Sequence, residues 1–372
     1  MTDLFFFGTL RHAPLLSIVL GRGPAQIDIT PAELPDHAVH WVRDQPFPII
    51  IAEAGACAQG MLVRGLSGAD LARLRFYEGG FGYDLVPVTV RTGNGKVSAQ
   101  MFFAEEEKWP VGALWSLADW AARWGAISEE AAREVMSLFG RWSPQDVAVR
   151  FDAIRRRAAA RVAARQGAPD RDRDLSRDVR AGDHRLPYAN FFALEEVDLS
   201  VRQHDGTMGP KVNRAALVVG QAAVVLPYDP ARDEVLLVEQ FRAPVYLAGD
   251  PAPWVWEPVA GLLDPGEDAE TAARREAHEE AGIEIDRLEP VAQVYSSTGS
   301  STEFLHLFVG LTQLDGPVAA TGGTDLGEDI RTAILPFTEL IDRVDAGLYR
   351  DMPLVTTALW LARHRGRLRS AL

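Results

Sequence analysis

One cysteine, Cys57, stands in a chain of 372 residues, so no internal disulfide can form and no cysteine-rich zinc site can be assembled. That usage suits a reducing compartment, and the cytoplasm is the expected location. Positive charge is also short: 38 Lys and Arg face 52 Asp and Glu, a formal net charge of −14. Such a surface repels phosphate backbones, which excludes a nucleic-acid scaffold but leaves room for a locally basic pocket taking one small anion. Nowhere does an apolar run reach the roughly 18 residues of a membrane-spanning helix, so no membrane partner is expected. The early apolar stretches, Leu4 to Phe7 and Leu15 to Leu20, follow Asp3 rather than a basic segment and are separated by Gly8, Arg11 and His12. They read as a strand and a helix, not as a signal peptide.

What remains is ordinary globular composition, 47% apolar and 24% charged. At about 150 residues per domain the length predicts two or three domains. From Met1 to Glu107 short apolar runs (Leu4 to Phe7, Pro48 to Ala52, Gln59 to Val63, Val86 to Arg91, Val97 to Phe103) alternate with Gly and Pro, the pattern of a small β-rich domain. Between Val111 and Arg165 the spacing turns helical, with Ser128 and Ser143-Pro144 as helix starts. Gly167 to Arg185 alternates Asp with Arg, carries almost nothing apolar to bury, and reads as a solvated linker. Strands follow at Glu195 to Gln203, Ala215 to Pro227 and Glu234 to Gln240, then a helix from Ala269 to Ala281 and a last helix near Leu354 to His364, which describes a second α/β domain. The expected segments are 1–108, a helical extension at 109–166, a linker at 167–185 and a second domain at 186–372.

The helix at Ala269 to Ala281 carries the clearest chemistry. Glu276, Glu279 and Glu280 lie at i, i+3 and i+4 and share one face, where three like charges repel. An acidic helix face is commonly just solvated. The alternative is a hard divalent cation, because Mg²⁺ prefers carboxylate oxygens, keeps several waters and bridges to phosphates. Glu276 and Glu280 are then the first-choice ligands, with Glu279 and Glu267 supporting them or binding a further ion. Gly261 and Gly266 permit a tight turn before the helix, Gly282 permits the left-handed end, and Arg275 can hold a carboxylate by a bidentate bond. His278 reads as a surface residue, since Mg²⁺ prefers oxygen.

The run Gly261-Leu-Leu-Asp-Pro-Gly-Glu267, seven residues, then Arg275-Glu-Ala-His-Glu-Glu-Ala-Gly-Ile283 resembles the Nudix box at every defined position. The resemblance implies a Nudix α/β/α sandwich, two or three Mg²⁺ or Mn²⁺ ions per site, and a further metal ligand in the backbone carbonyl of Ala260. Residues 188–372 are similar to the ADP-ribose pyrophosphatase branch: Val238 to Arg242, Trp254 with Glu257 to Gly261, the loop Tyr295 to Glu303, and Gly327 to Arg331 each match a branch segment. By that likeness Arg242 contacts the diphosphate, Glu257, Ser297 and Glu303 hold the ligand, Glu279 belongs with the catalytic acids, and Glu328 is the general base, with Asp325 as its substitute. Arg214 is a second candidate clamp, and Phe192 or Phe191 a candidate adenine stack. The branch also implies a homodimer in which a strand such as Leu194 to Gln203 completes the partner's site. Ser296 and Thr298 stand where the branch carries prolines, and Leu326 where it carries another glutamate. The expected reaction is hydrolysis of ADP-ribose to AMP and ribose 5-phosphate. GDP-mannose or another nucleoside diphosphate sugar is the alternative substrate, and a nucleotide-derivative sensor without turnover is the alternative of a different class. Some proteins with this kind of domain carry tellurite-resistance labels, which no residue here explains.

The opening Phe5-Phe6-Phe7-Gly8-Thr9-Leu10-Arg11 resembles the start of γ-glutamylcyclotransferase-like (AIG2-like) domains, and further short matches, among them Gln59 to Val63 and Tyr77-Glu78-Gly79, carry the likeness over roughly residues 3–106. It implies a mixed β-barrel with a small anion-binding cavity formed by the backbone of Gly8, Thr9 and Leu10, and Glu78 as the acid/base. Consecutive amides form such a nest, and a carboxylate in an apolar pocket has a raised pKa suited to moving protons. The same residues are equally compatible with a binding module. The fold class expected for the whole chain is therefore α/β (α+β).

Overall fold

The computed structural model describes residues 1–104, 109–314, 321–322 and 329–370. The chain divides into two compact units, Met1–Ala193 with Asp198–Val212, and Leu194–Val197 with Asn213–Leu372.

In the first unit the strands are β1 (Thr2–Phe6), β2 (Ile29–Val42), β3 (Pro48–Leu66), β4 (Tyr83–Thr92), β5 (Gly95–Ala104) and β6 (Val111–Leu114). β1 pairs antiparallel with β3 and parallel with β5; β5 pairs with β4, β4 with β2, and β2 back with β3. Five strands thus close into a barrel, and β6 is appended to β2. Leu4 to Phe7 is apolar at every position because both faces of its strand are covered. Phe5 and Phe7 point into the barrel with Leu62, Val90 and Met101. Leu4 and Phe6 point outward against Leu15, Leu16, Leu74 and Trp120.

Helices coat that outer face: α1 (Ala13–Leu20), α2 (Gly68–Glu78), α3 (Leu117–Trp120), α4 (Ala126–Ser137), α5 (Pro144–Val149) and α6 (Phe151–Arg165). Ser67 and Ser143 cap α2 and α5 in reciprocal boxes with Asp70 and Asp146. Ser128 lies inside α4 rather than at a start, because α3 runs on into α4 through the wide turn Ala121–Gly125. α4 and α6 are joined by a buried ion pair, Arg157 to Glu134 at 2.6 Å. Arg157 also donates to the carbonyls of Asn190 and Phe191 at 3.0 and 2.9 Å.

The Asp/Arg alternation expected as a solvated linker is structured from Leu175 onward, as α7 (Leu175–Asp178) and β7 (Val179–Ala189). Charge pairing replaces apolar burial there: buried Asp178 accepts from Arg177 at 3.0 Å, Arg202 at 2.8 Å and the Asp174 amide at 2.9 Å. These bonds, Arg177's first, hold its carboxyl well below the usual range. β7, β8 (Ala193–Val201) and β9 (Val212–Val218) form a three-stranded sheet.

The strand expected over Ala215 to Pro227 is interrupted at Val219-Gly220, and β10 (Gln221–Asp229) begins beyond it. β10 joins β11 (Glu234–Phe241), followed by α8 (Ala243–Leu247), β12 (Trp254–Glu257), β13 (Val259–Leu262), α9 (Ala269–Ala281), β14 (Arg287–Tyr295), β15 (Phe304–Leu311), β16 (Thr321–Gly322), β17 (Ile330–Pro336), α10 (Phe337–Asp345) and α11 (Met352–Ser370). The sheet runs β14-β15-β10-β11-β17-β16, with β12 on β11 and β13 on β10. Only β10 and β15 pair parallel among these. Alternate residues of β10 and β11 serve opposite faces: Val225, Leu236 and Val238 meet the alanines of α9, whereas Leu226, Tyr228, Val235 and Leu237 meet α10 and α11. The result is an α/β/α sandwich with α9 on one side and α10 and α11 on the other. Among the described residues no helix is long and apolar enough to cross a membrane.

Candidate active sites

α9 starts where the Asp268 side chain accepts the Thr271 amide at 2.8 Å and ends at Gly282 in the left-handed region, φ +65°. Ala272, Ala273, Ala277 and Ala281 carry it onto the sheet, and their small size lets the helix approach closely. That approach buries two acids beside them, Glu276 at 8% and Glu280 at 5% exposure. Both carboxylates lie on β13. The Ala260 amide donates to Glu280 Oε2 at 3.2 Å, and the Glu276 carboxylate occupies the space that a side chain at Gly261 would fill.

Arg275 does more than hold one carboxylate. It donates to both oxygens of Glu267 at 2.9 and 3.0 Å, to Glu276 at 2.7 Å, to Glu279 at 3.1 Å and to the Leu262 carbonyl at 3.2 Å. The guanidinium therefore ties the turn before α9 to three acids of the expected set. Burial pushes the Glu276 carboxyl up, Arg275 opposes this, and the charges of Glu279 and Glu267 add to the rise. A buried acid crowded by like charge, resting on bare backbone and offering only hard oxygen donors, is suited to a divalent cation. As expected, His278 is peripheral, exposed and facing Glu284 at 3.1 Å.

Beside these acids, Arg242 at the end of β11 donates through Nε to both oxygens of Glu257 at 2.9 Å, and its Nη2 donates to the same carboxylate. The charges of Glu280 and Asp351 both bear on Arg242, and those of Glu257, Arg242 and Glu303 bear on Asp351. Glu267, Glu276, Glu279, Glu280, Arg275, Ala260, Arg242, Glu257 and Glu303 thus form one neighbourhood. Asp351 is the member that sequence reading missed. It accepts the Leu354 amide at 2.7 Å, and burial, followed by the Glu257 charge, pushes its carboxyl up to about 7. Its signal was that of a helix cap, an Asp just before Met352-Pro353.

The other expected residues are placed less centrally. Ser297 is exposed and bonded to Ser300 Oγ at 2.9 Å in the turn that Ser296 closes by donating to the Glu303 carbonyl at 3.0 Å. Arg214 is exposed on β9 and donates to the neighbouring Asn213 carbonyl at 2.8 Å. Phe192 belongs to the first unit, where its ring meets Phe191 edge-on at 4.8 Å. Glu328 and its substitute Asp325 lie outside the described residues.

The first unit holds a cavity of about 280 Å³. Gly8, Thr9 and Leu10, in the tight turn after β1, line it together with Glu78 from the end of α2. Much of the remaining wall is aromatic, including Tyr77, Phe81, Tyr83 and Trp109. Burial pushes the Glu78 carboxyl up to about 7. Desolvation, with the neighbouring Glu78 charge second, also raises the Tyr77 and Tyr83 hydroxyls.

Residues 219–353 match the NUDIX domain family, and residues 4–122 match the family described as gamma-glutamyl cyclotransferase, AIG2-like. An ADP-ribose pyrophosphatase of Escherichia coli is 36% identical over 183 residues, which span 49% of this chain and 87% of that protein. A GDP-mannose pyrophosphatase of Cronobacter sakazakii is 34% identical over 166 residues, 45% of this chain and 85% of that protein. An ADP-ribose pyrophosphatase of Haemophilus influenzae is 34% identical over 150 residues, 40% of this chain and 69% of that protein.

Proposed function

Since the chain belongs to the Nudix hydrolase family and is a nucleoside diphosphate sugar pyrophosphatase, we propose that its substrate is ADP-ribose, cleaved to AMP and ribose 5-phosphate. The observation that carries this reading is the acidic face of α9 seated on β13 next to the Arg242–Glu257 pair. Glu276, Glu280 and the Ala260 carbonyl, with Glu279, are the groups that would hold Mg²⁺ or Mn²⁺, two or three ions in all. Bound there, the ions supply charge neutralisation of the diphosphate and a more acidic water. Arg275 keeps Glu267, Glu276 and Glu279 in register before any ligand arrives. Arg242, held through Nε and Nη2 by Glu257, would donate from its Nη1 edge to a phosphate oxygen. Glu303, Ser297 and Arg214 remain our candidates for ligand contacts. Glu328 is our choice for the carboxylate that takes the proton from water as the oxygen attacks phosphorus. Likeness to the branch supports a homodimer, and the lone cysteine supports the cytoplasm.

Product analysis tests the assignment. Purified protein with Mg²⁺ is offered ADP-ribose, GDP-mannose and NADH, and AMP with ribose 5-phosphate from ADP-ribose is the expected result. Preferential cleavage of GDP-mannose would keep the mechanism and replace the substrate. Binding without any cleavage would favour a sensor.

A second activity is favoured by one specific observation, an acid of near-neutral pKa in an aromatic cavity that the tight turn Gly8 to Leu10 also lines. We assign Glu78 as the acid/base of a γ-glutamyl cyclotransferase centre, with Gly8, Thr9 and Leu10 binding the anionic end of the γ-glutamyl group. Release of 5-oxoproline, abolished in Glu78→Gln with diphosphatase activity retained, is the expected outcome.

A further inference from the structure

Asp351 reaches the diphosphatase site through the way its segment is fastened, not through a motif. Arg350 is ion-paired with Asp250, in the connection between α8 and β12. Asp250 also accepts the Ala252 amide at 2.9 Å, and the next residue, Pro253, offers its carbonyl to the Arg242 amide at 2.8 Å. The segment entering α11 is thereby tied to the connection that begins and ends beside Arg242, and Asp351 is carried up to the Arg242–Glu257 pair. One of its oxygens, Oδ2, is occupied by the Leu354 amide at 2.7 Å, which starts α11. Among the described residues Oδ1 has no hydrogen-bond partner. The charges acting on Asp351 come from three separate segments: Glu257 on β12, Arg242 at the end of β11 and Glu303 just before β15. Arg242 in turn feels Glu280 of α9 as well as Asp351. Arg242 therefore links the acids of α9 to a second group of carboxylates, Glu257, Glu303 and Asp351, which the metal assignment does not use.

We propose that Asp351 sets the specificity of the diphosphatase site for an uncharged sugar: its free oxygen accepts a sugar hydroxyl, and its charge turns away a sugar that carries an acid. The inference rests on the diphosphatase reading of α9 and Arg242. A diphosphate brings negative charge of its own, which the α9 acids answer through cations and Arg242 answers directly. Arg242 is the cation among the groups acting on Asp351, and Glu257 already engages it. Beyond that pair, Glu303 and Asp351 leave surplus negative charge in a partly buried place where charges are weakly screened. Ionised carboxylate oxygens only accept hydrogen bonds, so they pair with hydroxyl donors and not with a further phosphate or carboxylate. A simple sugar supplies hydroxyls and no charge. Burial and the Glu257 charge raise the Asp351 carboxyl to about 7, so it is ionised at pH 8.

The test measures inhibition of ADP-ribose hydrolysis by the full chain at pH 8, using ADP-glucose and ADP-glucuronate, which differ only in a hydroxymethyl group against a carboxylate. Wild-type protein is expected to bind ADP-glucose at least ~10-fold more tightly, as for one added charge facing unneutralised carboxylates at short range. Asp351→Asn keeps the cap on α11, since asparagine serves an N-cap as well as aspartate, and should narrow the ratio by ~5-fold or more. Asp351→Glu, which retains the charge, should preserve it. A merely structural role for Asp351 would weaken both compounds alike and leave the ratio in place. Equal inhibition by the two compounds in wild type, or a ratio unchanged in Asp351→Asn, overturns the proposal. Absence of ADP-ribose cleavage sinks the substrate reading itself, and the two compounds are then compared by calorimetry. A preference for ADP-glucose that Asp351→Asn narrows sustains the inference there, and equal or absent binding to the folded protein overturns it.

Discussion

Replacing Gly261 with alanine isolates the contact on which the diphosphatase site rests. Gly266 and Gly282 occupy left-handed backbone, φ +88° and +65°, whereas Gly261 is not among the positive-φ glycines. A methyl group at 261 therefore brings little backbone strain, and its cost is the overlap with the Glu276 carboxylate. The strand cannot retreat, since Gly261 is paired with Ala223 of the central strand β10. Glu276 must yield instead, against the Arg275 bond at 2.7 Å that holds it. Over-packing of this kind costs about 1–3 kcal/mol of stability, or a fall in Tm of roughly 2–4 °C per kcal/mol for a unit of this size. A ligand group displaced by about 1 Å costs activity far more, on the order of 10²-fold. The assay is AMP release from ADP-ribose across a Mg²⁺ titration, with Tm measured in parallel. The expected result is kcat/KM down by ~10²-fold and half-saturation shifted to higher Mg²⁺. In a Glu276→Gln background the same alanine should add less than about twofold, because both changes act through one carboxylate. Near-normal activity of Gly261→Ala with an unchanged Mg²⁺ response would refute the reasoning.

Glu280→Gln should lower ADP-ribose turnover by ~10²-fold or more with the fold intact by circular dichroism, as for loss of a group that stabilises charge at the metal site. Arg242→Lys exchanges a planar fork, held by two bonds to Glu257 at 2.9 Å, for a point charge. KM for ADP-ribose should rise by roughly 10-fold in steady-state kinetics, and an unchanged KM would remove Arg242 from the binding site. Burial raises Glu78 from 4.5 to about 7, so the folded protein keeps a proton that the unfolded chain releases in that window. The stability this gives is complete below the lower value and lost as pH rises through the upper one. Glu78→Gln should therefore raise Tm relative to wild type at about pH 8 and lose that gain toward pH 5; a pH-independent difference would contradict the burial. Gly80→Ala should destabilise the protein by ~1–3 kcal/mol in denaturant unfolding, because the Pro144 backbone is too close to move aside cheaply.

Much of the architecture was legible because its signals are local. The unbroken apolar run Leu4 to Phe7 announces a strand covered on both faces, and both faces are covered. Alanines at 272, 273, 277 and 281 with Asp268 before them announce a helix pressed onto a sheet, and Gly282 ends it as expected. Reading failed where long-range charge pairing substitutes for apolar burial. The Asp/Arg alternation looks solvated residue by residue, but Asp178 finds Arg202, 24 positions away, and that pairing has no periodicity to betray it. Ser128 misled for a related reason: a capping residue is recognisable by type, but only the continuation of α3 through Ala121–Gly125 decides that no cap was needed.

The same division runs through the two sites. The spacing of Glu276, Glu279 and Glu280 is set by one helix, so the shared face was readable; that two of them are buried depends on how the chain folds back to lay α9 on β13, the strand just before it, whose Gly261 leaves the space. Arg275 looked like a partner for one acid because sequence shows neighbours and not the turn that brings Glu267 back to it at 2.9 Å. Asp351 shows the limit most clearly. It is 94 positions from Glu257 in sequence, its local pattern is that of a helix cap, and it does cap α11. Its second property, a carboxyl near neutrality among Glu257, Glu303 and Arg242, arises only when α11 docks against the sheet. Arg157 in the first unit is the parallel case, an ordinary helical arginine until Glu134 of α4 meets it at 2.6 Å. In both units the residues named from motifs are those one segment positions by itself, and the residues missed are those that a second segment delivers.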